Sequence, residues 1–229
     1  MHCEFPNLSF FEMTVAEFMF SCKISKLSYQ AGAQILKEAG TQWVTGGGAE
    51  VLSPSFRKRH SPKKFSVPQY YEAQKAILDT GINSTATMVI GFDETLEERL
   101  EHLDSLREFQ ANLTTKIPSF LCWTYKPYNT KFGGKEMKQE EYLRWLAVSR
   151  IYLDNFRHIR TSVLTQNDNA FLALNYGAND FDIPTEDEVT QKAGAVIDDN
   201  FDHVLNTCAQ AGYKPVLRKS FEGFCSTHT

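Results

Sequence analysis

Cysteine is scarce and scattered in this chain. Its 229 residues hold five: Cys3, Cys22, Cys122, Cys208 and Cys225. An odd, dispersed set excludes a disulfide framework and offers no zinc site at conventional spacing, so the thiols read as reduced and mostly buried. Basic charge is also short, with 24 Lys and Arg against 28 Asp and Glu and a net charge of −4. That balance gives no electrostatic case for a nucleic-acid partner. No apolar run reaches the roughly 18 residues that a membrane span needs. The N-terminal "MHCEFPNLSFFEMTVAEF" lacks the basic stretch and unbroken apolar run of a signal peptide. A cytoplasmic location with no membrane partner is the expectation.

What is present reads as one globular domain. Hydrophobic residues make up 42% and aromatics 13%, enough for a substantial core. The reading is a single domain over 1–229, with 182–229 as a helical and extended C-terminal extension. Strand candidates fall near residues 8–14, 41–45, 84–91, 116–123, 159–164 and 214–218, the last a candidate edge strand. Helical patterns lie between them. "LSYQAGAQILKEAG" is one, with Ser28 as cap, Ile35 and Leu36 on the buried side and Gly40 as stop. "DETLEERLEHLDSLREFQ" is another, opened by a Thr95/Glu98 capping box and carrying Leu96, Leu100, Leu103 and Leu106. "AFLALNYGAND" reads as a short helix and "VLSPSFRKRHSPKKFS" as a basic, proline-interrupted connection. Repeated strand–helix alternation points to parallel α/β architecture. A closed (β/α) barrel needs eight strands and about 250 residues. The expectation is therefore an incomplete barrel of about six parallel strands with outer helices.

Several strand ends carry chemistry. "GGGAE" at 46–50 follows a strand but matches neither the P-loop nor the dinucleotide fingerprint. Its glycines either form a tight turn with a solvated Glu50 or let a ligand approach the backbone. "TATMVIGFDET" ends a buried strand at Gly91, where Asp93 and Glu94 either bind a ligand or stabilise a helix N-terminus. "FLCWTYKPYNT" places Trp123 and Thr124 at a strand end, for a heterocyclic ligand or for the core. Gln166, Asn179 and Asp180 suit a polar ligand or ordinary turns. His60, His102, His158 and His203 lack metal-site spacing and read as surface histidines. The run "RKRHSPKK" is a phosphate-binding candidate or a solvated basic loop.

Taken in order, "GGGAE", "STATMVIGFDETLEERLEHLDSLREFQ", "WTYKPYNT", "LAVSRIYLDN" and "YGANDF" resemble the radical S-adenosylmethionine (SAM) enzymes of futalosine-dependent menaquinone biosynthesis. The resemblance runs from about Phe5 to Phe221, and "WTYKPYNT" points to the cyclising branch. It implies a radical SAM barrel, a nucleoside substrate, and SAM with a [4Fe–4S] cluster as family cofactors. It implies that Gly46, Gly47, Gly48, Ala49 and Glu50 face nucleoside or cofactor, with Glu50 the catalytic candidate. Gly91 and Glu94 match the segment near the adenine and ribose of the cofactor. Trp123, Thr124, Gln166, Asn179 and Asp180 match strand-end positions around the substrate cavity. The family's C-x-x-x-C-x-x-C loop does not occur in this sequence. The chain thus reads as the C-terminal three-fifths of such an enzyme. No metal site and no activity are expected of it alone, and it would self-associate through an exposed barrel edge. Two other readings stand beside this one. One is a nucleoside- or SAM-binding module without redox chemistry. The other is a different barrel-like enzyme using Glu50 and Asp180 as an acid/base pair.

Overall fold

The computed structural model describes residues 11–183, 188–197 and 200–218. Strand β1 (Phe11–Thr14) leads into α1 (Val15–Ser25) and α2 (Tyr29–Glu38). Then come β2 (Trp43–Thr45), α3 (Pro54–His60), α4 (Val67–Asp79) and β3 (Asn83–Ser84). β4 (Ala86–Ile90), α5 (Leu96–Asn112), β5 (Ser119–Thr124), α6 (Gln139–Tyr152) and β6 (His158–Ser162) follow. The chain continues through α7 (Val163–Gln166), a 3-10 helix (Asn167–Tyr176), β7 (Asp180–Asp182), α8 (Glu188–Lys192) and α9 (Phe201–Gln210).

Local chemistry starts these helices where the sequence places them. Thr14 with Glu17, Ser66 with Gln69, and Thr95 with Glu98 each form a reciprocal capping box, satisfying N–H groups the first turn leaves open. All strand pairs are parallel, in the orders β1-β2-β3 and β4-β5-β6-β7. Only Thr85 separates β3 from β4, so the two ladders form one path across the molecule. Side chains bridge the break between them. Gly46 N–H donates to Thr85 Oγ1 at 3.0 Å, and Thr87 Oγ1 donates to Gly46 O at 2.6 Å. Past β2, Val89 N–H reaches Glu50 O at 3.0 Å. Hydroxyls thus replace ladder bonds where backbone register fails. Among the described residues β1 and β7 each pair on one side only, the open form of a barrel.

Two apolar clusters fill the space between sheet and helices. Val15, Phe18, Val44, Tyr70 and Ile77 pack under α1 and α4. Met88, Ile90, Phe120, Cys122, Leu103 and Leu146 pack under α5 and α6. A smaller cluster joins Val163, Phe171, Val204 and Cys208 near the C-terminal helices.

The structure corrects several expectations. Residues 214–218 pair with no strand, and among the described residues the last strand is β7, too short and acidic to stand out by pattern. The basic connection contains α3, started by Pro54 at its first position. "AFLALNYGAND" is wound as a 3-10 helix up to Tyr176. Ile35 is 52% and Leu96 59% exposed. The buried side of α2 is Gly32 and Ala33, with Leu36 half-buried against the same cluster as expected and Gly32 pressed against Cys22 and Phe18 of α1. The part of the first strand candidate at 8–10 lies outside the described residues.

Candidate functional site

The glycine-rich segment has a steric explanation inside the protein. A Cβ at Gly46 would lie 2.1 Å from the Thr85 carbonyl oxygen, and one at Gly47 would lie 2.6 Å from the Thr14 methyl. Gly48 has φ of +90°, and a Cβ there would meet Ala16 Cβ at 2.3 Å. The segment therefore wedges between the ends of β1 and β4, where no side chain fits. Its backbone is also engaged. Gly46 O accepts from the buried Tyr70 hydroxyl as well as from Thr87, and Gly47 O accepts from Ala16 N–H at 3.3 Å. Arg57, itself buried, donates from Nη1 to Ala49 O at 3.0 Å.

Glu50 ends the segment with φ of +42°. Its Oε1 accepts from Lys64 Nζ at 2.7 Å, while Oε2 is shut from solvent with no hydrogen-bond partner. From behind, Leu52 N–H donates to His102 Nδ1 at 2.8 Å. Accepting there leaves the ring proton on Nε2, which is buried and unpartnered. Burial and the nearby Arg57 pull the His102 pKa down to about 3, so the ring is neutral near pH 7. His102 is a correction to the surface reading. It stands four residues before Leu106 on the buried face of α5, the spacing that signals it.

Glu94 turns inward. Its carboxylate accepts from Gly91 N–H at 2.7 Å and Phe92 N–H at 2.8 Å, and from Arg99 Nε at 2.8 Å. It holds the turn after β4. Glu98 does similar work one turn later, accepting from Arg59, Ser55 and Thr95 N–H. The Arg59 guanidinium and these donors hold its pKa near 2, well below the usual carboxylate range.

Strand alternation sets two faces. Met88, Ile90, Phe120 and Cys122 turn to the helices. Their neighbours turn to the concave side and line a cavity of about 380 Å³: Trp43 and Thr45 from β2, Thr87 from β4, Leu121 and Trp123 from β5, Arg160 from β6 and Asp182 from β7. Arg218, from the segment after α9, also reaches it. Charge inside is paired. Arg160 Nη2 lies 2.8 Å from Asp182 Oδ1, and Arg218 Nη2 lies 2.6 Å from Asp180 Oδ2. Thr124 and Gln166 meet at the strand ends, Gln166 Nε2 donating to Thr124 Oγ1 at 2.8 Å.

The expected site residues are thus distributed unevenly. Trp123 lines the inner cavity, Asp180 joins its charge layer through Arg160 and Arg218, and Thr124 and Gln166 pair beside it. Asn179 sits elsewhere: its side chain accepts from Ile159 N–H at 3.0 Å and Arg150 at 2.8 Å, and donates to Arg157 O. That places it at the start of β6, the opposite end from the strand C-termini. Glu50 pairs with Lys64 and Asp180 with arginines. Sequence reading missed Arg160, Asp182 and Arg218. An i, i+2 scan of "HIRTS" and "DFD" finds the first two.

The described cysteines do not suit a cluster. Cys22, Cys122 and Cys208 are buried in three separate apolar clusters, and burial pushes each thiol up, away from the thiolate a metal needs.

Residues 116–227 match the family model described as the CofH/MqnC C-terminal region. The chain is 35% identical over 217 residues to a cyclic dehypoxanthine futalosine synthase of Halalkalibacterium halodurans, covering 93% of this chain and 58% of that protein. The same enzyme of Streptomyces coelicolor is 34% identical, with 94% and 54% covered. An aminodeoxyfutalosine synthase of Thermus thermophilus is 35% identical, with 83% and 53% covered. The chain spans a little over half the length of these curated relatives. Among solved structures, methylornithine synthase superposes with a TM-score of 0.61 at 19% identity, over 83% of this chain and 57% of that one. HydG, a maturase of the [FeFe]-hydrogenase, gives 0.57 at 12% identity, over 81% and 43%. These two speak to fold, that of a partial radical SAM barrel. No helix among the described residues is long and apolar enough to cross a membrane. By sequence and fold together, the chain belongs to the futalosine-pathway radical SAM family, its residues 116–227 corresponding to the CofH/MqnC C-terminal region.

Proposed function

We propose that this chain forms the substrate-holding wall of a radical SAM barrel and binds dehypoxanthine futalosine, the compound that the cyclase relatives' name implies, in which the hypoxanthine base is absent. The observation that carries this is the inner cavity, where two indoles, threonine hydroxyls and paired charges face one space. The indole faces suit flat or apolar parts of that molecule, and the hydroxyls and Asp182 suit its hydroxyl groups. In this reading Trp123 contacts the bound dehypoxanthine futalosine, while Thr124, Gln166 and Asp180 shape its surroundings. Glu50 in this reading accepts a substrate hydroxyl at the rim through Oε1, with the Lys64 ammonium giving way, since Oε2 is shut from solvent. Gly46, Gly47, Gly48, Gly91 and Glu94 set the mouth through backbone shape. Because their backbone and carboxylate groups are engaged within the protein, we assign no SAM contact to them.

When bound, SAM and its cluster supply the radical that starts the family's chemistry. The described residues do not fit that cluster, so no step through it is assigned to this chain, and the chain alone is inactive in this reading. A second reading is binding of a nucleoside or SAM without redox chemistry. Titration with dehypoxanthine futalosine, followed by tryptophan fluorescence, tests the shared claim. Saturable quenching that is lost in Trp123→Ala supports it, and unchanged emission sinks it. Anaerobic reconstitution with iron and sulfide addresses the rest, since a stoichiometric [4Fe–4S] spectrum would refute inactivity for want of ligands.

A second copy of the chain is the proposed partner at the β1 edge. Next to it α1 exposes Phe20 at 58% and Ile24 at 64%, one turn apart on the helix. Light scattering that shows a monomer at all concentrations would end this idea.

A further inference from the structure

Away from the inner cavity, a cleft of about 550 Å³ lies among α1, α2 and the segment entering α4. Three lysines line it: Lys23 of α1, and Lys63 and Lys64 of the loop before α4. Phe65 adds an aromatic wall, with Lys23 Nζ 5.9 Å from its ring centroid. Glu72 is the one carboxylate among the lining residues.

The structure sorts the basic run that sequence reading left open. Arg57 is buried against backbone carbonyls, Arg59 pairs with Glu98, and His60 pairs with Asp93. Lys63 and Lys64 are what remains for the cleft. They stand on an anchored segment, because Arg57 donates from Nη2 to Phe65 O at 2.7 Å and from Nε at 3.1 Å. Among the described residues no ion pair joins Lys23 or Lys63 to a carboxylate. Lys64 is shared: the residue lines this cleft, while its ammonium lies 2.7 Å from Glu50 Oε1. Ser28 and Tyr29, the cap and first residue of the ten-residue helix α2, line the cleft too. The helix thereby adds its positive end to that of the lysines.

We propose that this cleft binds a small phosphate-bearing anion through Lys23, Lys63 and Lys64, and that binding draws Lys64 away from Glu50. Three point charges with rotatable donors match the several oxygens of a phosphate. Moving Lys64 would free Oε1 of Glu50 and so link the outer cleft to the glycine-rich segment.

Calorimetry on the full chain at fixed ionic strength tests this with three probes: inorganic phosphate, pyrophosphate and a nucleoside monophosphate. Saturable one-to-one binding is expected. Equal affinity for phosphate and monophosphate identifies free phosphate as occupant, and tighter binding of the larger probes identifies a phosphorylated metabolite. Lys23→Gln and Lys63→Gln should each weaken binding about tenfold, the scale of one charge-assisted hydrogen bond. Lys58→Gln, an exposed charge off the cleft, should leave it unchanged. Glu50→Gln releases Lys64 and should tighten binding several-fold. No saturable heat with any probe, or equal losses in Lys58→Gln and Lys63→Gln, overturns the site. Unchanged affinity in Glu50→Gln overturns the link. The substituted lysines are exposed and Glu50 is half-buried, and far-UV circular dichroism verifies that each variant stays folded.

Discussion

Along β5 the chain changes purpose at every residue. Phe120 and Cys122 face the helices and are fully buried. Ser119, Leu121 and Trp123 face the concave side and its cavity. The same alternation holds on β4, with Met88 and Ile90 outside and Thr87 inside. The outer face is filled by apolar side chains packed against α5 and α6, whereas the inner face mixes hydroxyls, indoles and charge. One face therefore sets whether the sheet stands, and the other what it can hold. This division follows from the two-residue period of a strand.

Substitutions can break that division or sharpen it. Phe120→Ala removes a buried ring from the outer face and should destabilise by about 3–5 kcal/mol, read from urea midpoints. Its cavity affinity for nucleoside, measured where the variant remains folded, should hold. Gly46→Ala tests the seam between the ladders. Its new Cβ meets the Thr85 carbonyl, and a loss of about 1–3 kcal/mol is expected. A neutral result there would mean that the backbone yields easily.

His102 provides a pH test from the outer side. Its folded pKa lies near 3, below the usual value of about 6.5. Between those values the unfolded chain binds a proton that the folded chain refuses. The His102 contribution is thus full above pH 6.5 and lost as pH falls toward 3. His102→Gln should flatten that part of the stability curve relative to wild type. An unchanged slope would show that the ring is charged in the fold. Glu98 acts in a lower window. Its folded pKa is near 2, so its contribution stands above the ordinary carboxylate pKa and fades as pH falls through 2. Glu98→Gln should remove that fading. Last comes Trp123→Ala on the inner face, which should change stability by no more than about 1 kcal/mol while abolishing nucleoside quenching. A large stability loss there would erase the distinction between the faces.

Much of the outer face was legible in the sequence. "STATMVIGF" and "FLCWT" are apolar runs of strand length, and Thr95 with Glu98 marks a helix start by side-chain chemistry that operates within four residues. What was hidden depends on distant partners. The glycines of "GGGAE" answer to Thr85, Thr14 and Ala16, which pattern alone cannot bring beside them. β7 is three residues long and mostly acidic, so its place is set by pairing with β6 and by Arg160 and Arg218. Asn179 reads as a ligand-facing amide from its amide-rich stretch, or as an ordinary turn residue after the Gly177 stop. Its hydrogen bonds to Ile159 and Arg150 come from tertiary packing.

Three glycines precede Ala49, yet the next backbone turn that asks for glycine is filled by a glutamate. A non-glycine residue at a φ such as that of Glu50 costs on the order of 1–3 kcal/mol, and glycine or asparagine would relieve most of it. Left to stability alone, mutation would carry position 50 toward those two residues. A directed-evolution experiment selecting only for heat resistance should therefore enrich glycine or asparagine at position 50. One selecting for nucleoside binding should keep the acid, and the gap between the two outcomes would measure what the carboxylate contributes to binding.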